Sequence, residues 1–412
     1  MGNFQSIYAA SSRGDGNDYP PSLVSLILEK AKAQPDSVVH TYLPDGKDEG
    51  PARTFSGLDQ LTRRISAVLQ ERYPAGERAL LVFPPGLEFI DAFFGCLYSG
   101  LVAVPAFPPN PGPRAPTLAR LQALACDSRA SVILTTRPSM GLFQPAAANY
   151  PPLNQITWLA IDQLPEDAGS AWKESLPEPD QLAYFQYTSG STRSPHGVCL
   201  THRNLVHNSA RINAFFQLSP ADVLVSWLPM YHNLGLIGTV LQPFFSGMRS
   251  YLMSPQTFLE NPLRGLKAIT HYKAKVAGGP NFAFDLCVLR IPPEKRVGLD
   301  LSSWQLAFNG AEPILAETLR RFREAYAPYG FSATAEYPCY GLAEATLMVT
   351  GGTRRSGAKI LRVDPAALEA NQVRLSPAGG QALVSSGHPF HDQELLIVDP
   401  DQRTVLSDGQ VG

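Results

Sequence analysis

The sequence predicts an α/β protein of two packed, doubly wound, predominantly parallel sheets, followed by the start of a small β-subdomain. Three observations carry this reading. From Arg78 onward, short β-rich runs alternate with helix-length segments, the order expected of parallel sheets covered by helices. The strand candidates form two groups, before and after residues 184–208. After about Gly380 two extended runs, 382–385 and 394–398, follow each other without a long helix between them. The expected division is therefore about 1–200 and 201–380 for the two α/β units, with 381–412 opening the β-subdomain.

Each element has a local reason. Residues 79–83 read as a strand, Pro85-Gly86 as a turn, 87–98 as a helix and 101–104 as the next strand, which together make a βαβ unit. A helix at 117–127 and an extended run at 131–135 repeat the pattern. Residues 223–227 give a strand that leads into a helix from about 234 to 245. Further strands at 249–253, 274–277 and 305–308 each feed a helix. In such folds ligands sit beyond the strand C-termini, where the loops gather. The Pro-rich stretch 105–116 reads as a stiff surface connection and 45–50 as a polar loop.

Composition removes several function classes. The 34 basic and 36 acidic residues are well mixed, so no basic face points to nucleic acid. The five cysteines are odd in number, widely spaced and without a Cys-x-x-Cys pair, which suggests a reducing, cytoplasmic setting rather than disulfides or zinc. The most apolar stretch, 79–109, contains Pro84, Pro85, Glu88 and Asp91 and is not a membrane span. Met1 to Ser6 formally matches the N-myristoylation pattern, which is short enough to recur by chance.

Four segments carry chemistry. Tyr187-Thr188-Ser189-Gly190-Ser191-Thr192-Arg193-Ser194-Pro195-His196-Gly197-Val198 follows a strand at 182–186. Loop amides with Ser and Thr hydroxyls beside them make a donor surface for phosphate oxygens. It lacks the Gly-x-x-x-x-Gly-Lys of a Walker loop. The second segment is Cys339 to Thr346, in which Glu344, taken alone, reads as a charge favoured at a helix N-terminus. The third, Phe308-Asn309-Gly310-Ala311-Glu312-Pro313, ends a strand, and Pro313 suits a first helical position. The fourth, Ser226 to Gly238, puts His232 where a strand gives way to a helix rich in Leu, Ile and Gly, which suits the wall of an acyl chain.

These segments resemble the acyl-adenylate-forming superfamily, which includes acyl-CoA synthetases, luciferases and the adenylation domains of peptide synthetases. The resemblance implies binding of ATP with Mg²⁺. Thr188, Ser189, Gly190, Ser191 and Thr192 would hold the phosphates, Gly310, Ala311 and Glu312 would wall the adenine, and Tyr340 with Gly341 would pack on it. Glu344 would be the metal ligand, while His232 would position the reacting carboxylate. The sequence departs from the common pattern at His196, where relatives often carry Lys, at Ala343 for a threonine and at Asn233 for an aspartate.

Val276 to Cys287, together with Tyr340 to Thr346, resembles the fatty acyl-AMP ligases. These pass the acyl group to an acyl carrier protein, or to a carrier domain of a polyketide or peptide synthase, rather than to coenzyme A. Met230, His232, Gly278, Gly279 and Phe282 would then line the fatty acid. The long polar excursion between Glu344 and Gly387 resembles an insertion of that family. Two alternatives stand beside this reading: an acyl-CoA or aryl-CoA ligase, and a catalytically silent acyl- or nucleotide-binding module. Relatives continue past the equivalent of Gly412 into a lid domain carrying a catalytic lysine, so the expectation is a fragment without that lid, impaired in turnover.

Overall fold

The computed structural model describes residues 19–108, 116–188, 196–377, 379–390 and 392–412. The Gly2 pattern and Ser189, Gly190, Ser191 and Thr192 of the hydroxyl loop lie outside the described residues. In chain order the strands are β1 (Val38–Tyr42), β2 (Ala52–Thr54), β3 (Arg78–Leu81), β4 (Val102–Pro105), β5 (Val132–Thr135) and β6 (Thr157–Ala160). Next come β7 (Leu182–Tyr187), β8 (Gly197–Thr201), β9 (Val223–Ser226), β10 (Arg249–Leu252), β11 (Val276–Gly279) and β12 (Leu306–Asn309). The last are β13 (Glu336–Gly341), β14 (Met348–Gly351), β15 (Ile360–Val363), β16 (Gln381–Val384) and β17 (His388–Pro389).

Among the described residues these strands form a six-stranded sheet, β6-β5-β3-β4-β7-β8, a nine-stranded sheet, β17-β14-β13-β12-β11-β9-β10-β1-β2, and a two-stranded ribbon, β15-β16. The six-stranded sheet is parallel except for its β7–β8 pair. The nine-stranded sheet is parallel from β13 to β1 and antiparallel at both margins. Such strands are apolar on both faces because helices cover both. In β3, Ala79 and Leu81 enter the large core that joins the two sheets, while Leu80 enters a second core with Val104, Ile133 and Trp158.

The βαβ units occur where the alternation places them: β3, the helix Glu88–Ser99 and β4 lie within two residues of their expected bounds. The helix expected from about 234 to 245 spans 233–246, and its middle, Leu236–Leu241, is π-helical. Three expectations need correction. Before Arg78, where the sequence reading assigns no regular element, the helices Leu23–Ala33 and Phe55–Arg72 form, each capped by a hydroxyl, Ser22 and Thr54. β1 and β2 then pair in the nine-stranded sheet, so a boundary near 200 does not partition the strands. Residues 394–398 form no strand. Val398 makes an isolated bridge to Val405, and β16 pairs instead with β15.

Candidate active site

A cavity of about 380 Å³ opens where β7 of one sheet meets the C-terminal ends of β12 and β13 of the other. Its lining includes Gln186, Tyr187, Thr188, His232, Gly310, Ala311, Tyr340 and Glu344, which offer polar side chains or backbone. Ile212, Phe216, Leu234, Phe308, Leu347 and Met348 add an apolar lining, and Gly238 lies beside Leu234 and Leu347.

The wall made by residues 339–348 depends on a tight reversal. Gly341 approaches the Leu347 carbonyl so closely that an added Cβ would collide with it. Thr346 has φ 73° and ψ −65°, and the Leu347 N–H donates to the Ala345 carbonyl at 2.9 Å, which closes a γ-turn. A β-branched residue in that region is strained, and such strain persists only where the surroundings over-determine it. Asn208, on the helix His202–Phe216, supplies part of that constraint. Its amide donates to the Met348 carbonyl at 3.0 Å, and its oxygen accepts from the Met348 N–H at 3.2 Å. The turn aims Tyr340 and Glu344 at the cavity, and both are exposed.

The second wall is the β12 end. Gly310 passes the Cys339 carbonyl where a Cβ would sit 2.8 Å away, and Ala311 adopts φ 71°. His232 begins the 233–246 helix, and its Nδ1 accepts from the Leu234 N–H at 3.3 Å, which leaves the proton on Nε2. The imidazole is exposed toward the cavity, and partial desolvation by the surrounding walls lowers its pKa below the ordinary value. His232 is therefore neutral near pH 7. Burial pushes the Cys339 thiol up to about 12, so it is no nucleophile.

The structure brings Thr188, His232, Gly310, Ala311, Tyr340, Gly341 and Glu344 to one cavity. The other expected residues that are described do not line this cavity. Met230 is buried in the large core. Gly278 and Gly279 lie in β11, between β9 and β12, where an added Cβ would meet the Phe308 carbonyl or, at 2.8 Å, the Trp227 ring, and Gly278 also lines a second, apolar cavity beside Trp227 and Phe284. Phe282 packs edge-on to Trp227, and its N–H donates to the Glu312 carboxylate at 2.6 Å, so Glu312 holds the start of the helix Asn281–Arg290. Sequence reasoning missed Gln186, Asn208, Ile212 and Phe216. The last two sit at i, i+4 on one helix face, a spacing that could have announced them.

Sheet order and cavity together place the site at strand C-termini of an α/β fold, as in nucleotide-binding proteins, with apolar side chains in its lining. Comparison with known proteins settles the family: the chain belongs to the AMP-binding enzyme family, whose profile matches residues 27–412. It is 38% identical over 397 residues to the medium-chain-fatty-acid–[acyl-carrier-protein] ligase JamA of Moorena producens, covering 95% of this chain and 67% of that protein. It is 35% identical to the long-chain-fatty-acid–AMP ligase FadD32 of Mycolicibacterium smegmatis, covering 95% and 63%. A crystal structure of a fatty acyl-adenylate ligase from L. pneumophila, in complex with acyl adenylate and pyrophosphate, superposes with a TM-score of 0.89 at 40% identity, covering 95% of this chain and 67% of that one.

Proposed function

We propose that the chain activates a fatty acid with ATP, forming an acyl-adenylate and releasing pyrophosphate, with the acyl group destined for a carrier protein. The observation that carries this is the mixed lining of the cavity, in which Thr188, Tyr340 and Glu344 share one space with the apolar side chains of Ile212, Phe216, Leu234 and Leu347. A nucleotide alone needs no such apolar lining. In the reaction a carboxylate oxygen bonds to the α-phosphorus, the bond to the β-phosphate oxygen breaks, and pyrophosphate leaves with the electron pair.

The chain's residues position two anions that repel in water. The Nε2–H of neutral His232 donates to the carboxylate without adding a charge that would tether it. Thr188 and the hydroxyl loop after it cradle the phosphates, Tyr340 stacks on adenine, and Gly310 and Ala311 give it a backbone wall. Glu344 offers one exposed carboxylate, and no cluster of three metal-binding side chains occurs among the described residues. That donor set fits Mg²⁺, which is commonly held by one or two carboxylates plus substrate phosphates. When bound, Mg²⁺ supplies charge neutralisation at the phosphate oxygens. Among the described residues no helix is long and apolar enough to cross a membrane, and the five cysteines are unpaired. The proposed setting is the cytoplasm.

Calorimetry with AMP and with a dodecanoyl sulfamoyl-adenosine tests this reading. Each buried methylene adds ~0.8 kcal/mol, so the acyl compound should bind at least a hundredfold tighter than AMP. Equal affinity would overturn the acyl site. Mass spectrometry of products formed from ATP, fatty acid, coenzyme A and carrier protein tests the acceptor, and abundant acyl-CoA would favour the CoA ligase.

A further inference from the structure

Gln186 is buried on β7, one residue before the strand reaches Tyr187 and Thr188 at the cavity lip. Its Nε2 donates to the Tyr187 carbonyl at 3.2 Å and to the Tyr231 carbonyl at 3.3 Å. Both amide hydrogens are therefore spent on carbonyls, and the side chain cannot flip without setting its oxygen against both of them. Its Oε1 is left buried without a partner, in a residue that lines the cavity.

One carbonyl lies on β7 of the six-stranded sheet, and the other lies in a turn that follows β9 of the nine-stranded sheet. Tyr187 leads into the hydroxyl loop, whose base is closed by the Thr188 N–H donating to the His196 carbonyl at 3.3 Å. Tyr231 directly precedes His232 in the connection that follows β9. Among the described residues, the Gln186 bond is the hydrogen bond that ties β7 to this connection. The Tyr231 ring also packs edge-on against Phe107 at 5.0 Å, an aromatic contact that steadies the ring and leaves the carbonyl to Gln186.

We infer that Gln186 is a positioning residue: through the Tyr231 carbonyl it fixes His232 relative to the phosphate-binding strand, so that carboxylate and α-phosphate are held in register. It touches neither reacting atom in this role. The inference rests on the proposed adenylation for its ligand test, and it also has a test without ligand. A buried amide with an unpaired oxygen is a costly choice for mere packing, since an apolar side chain of the same length would avoid that cost.

Gln186→Met keeps the length and removes the clamp together with the orphan oxygen, so the melting temperature should change little. In hydrogen exchange on the unliganded chain, residues 229–235 should exchange several-fold faster in the variant, with β7 and β8 unchanged. Dodecanoyl sulfamoyl-adenosine should bind about tenfold weaker, the scale of one hydrogen bond, while AMP stays within about twofold. With His232→Ala as background, adding Gln186→Met should cost nothing further, because the two act as one unit. Gln186→Asn, too short to reach Tyr231, should behave like the methionine variant. Unchanged exchange at 229–235, additive losses in the double variant, or an equal loss of AMP would overturn the inference, as would unfolding of both variants. Failure of the wild type to bind the acyl compound would instead overturn the adenylation reading, and the exchange experiment would still judge the clamp.

Discussion

Gly238 lies in the π-helical segment Leu236–Leu241 and lines the cavity. A Cβ built there would meet Leu347 Cδ2 at 3.4 Å and Leu234 Cδ1 at 3.5 Å, both ordinary contacts. Alanine should therefore be accommodated, whereas leucine must extend into the space proposed for the acyl chain. A leucine side chain occupies the room of roughly three or four methylenes. At about 0.8 kcal/mol for each one displaced, a long acyl ligand loses ~2.4–3.2 kcal/mol, which is about 60- to 200-fold in affinity. A short acid that never reaches the site loses little. Replacing a helical glycine should favour the fold by up to ~1 kcal/mol, so a loss of affinity through unfolding would move the melting temperature the other way. The assay is competition among acyl sulfamoyl-adenosines of graded chain length against Gly238→Leu. An equal loss at every length, or none at the longest, would refute the placement of the acyl chain between the helix His202–Phe216 and residues 233–246.

Glu344→Ala should weaken Mg·ATP binding about tenfold or more while leaving the melting temperature unchanged, since the side chain is exposed; calorimetry with and without Mg²⁺ gives the answer, and equal affinities would remove the metal role. Gly341→Ala should abolish ligand binding and destabilise the chain, because its Cβ would collide with the Leu347 carbonyl across the γ-turn; a crystal structure of the variant with an intact turn would contradict this. Acid should weaken the fold early. His40 and His202 are buried, and desolvation lowers them to about 3 and about 4, so below pH 6.5 the unfolded chain takes up protons that the folded chain refuses. Stability is then full above pH 6.5 and falls by up to ~1.4 kcal/mol per pH unit for each histidine down to about pH 4. Urea melts that are flat between pH 6.5 and 4.5 would show that these rings are charged in the folded state.

How far the sequence reached depended on whether a signal was local. Strand β3, its turn at Pro85-Gly86 and the following helix are written in adjacent residues, and they fold as read. So does the β12 turn with Gly310 and Ala311, which needs only a strand end and a helix start. β1 was illegible because nothing around it announces a partner 210 residues away, and its His40 interrupts an apolar run for the sake of a hydrogen bond to Ser250. Gly278 and Gly279 were ambiguous because two glycines at a strand end suit a ligand's approach and a neighbouring strand's approach equally well. Residues 394–398 carry β-forming side chains but lack a pairing strand among the described residues, and propensity alone cannot supply one. Asn208 was invisible for a related reason, since a buried asparagine's role lies wholly in the distant carbonyls it meets.

The pairing of β1 with β10 also sets a timetable. A ribosome adds about 5–20 residues per second, so the stretch between His40 and Ser250 takes roughly 10–40 s to make. During that time the six-stranded sheet, whose members all precede residue 202, can close on itself. β1 and β2 must wait outside it, with only each other to pair with, and a lone two-stranded ribbon is marginal in water. The nascent chain thus carries an early strand that is without a home until β10 has been made. Chaperone dependence and aggregation on fast expression should trace to residues 38–54, far in sequence from the residues whose late arrival finally buries them.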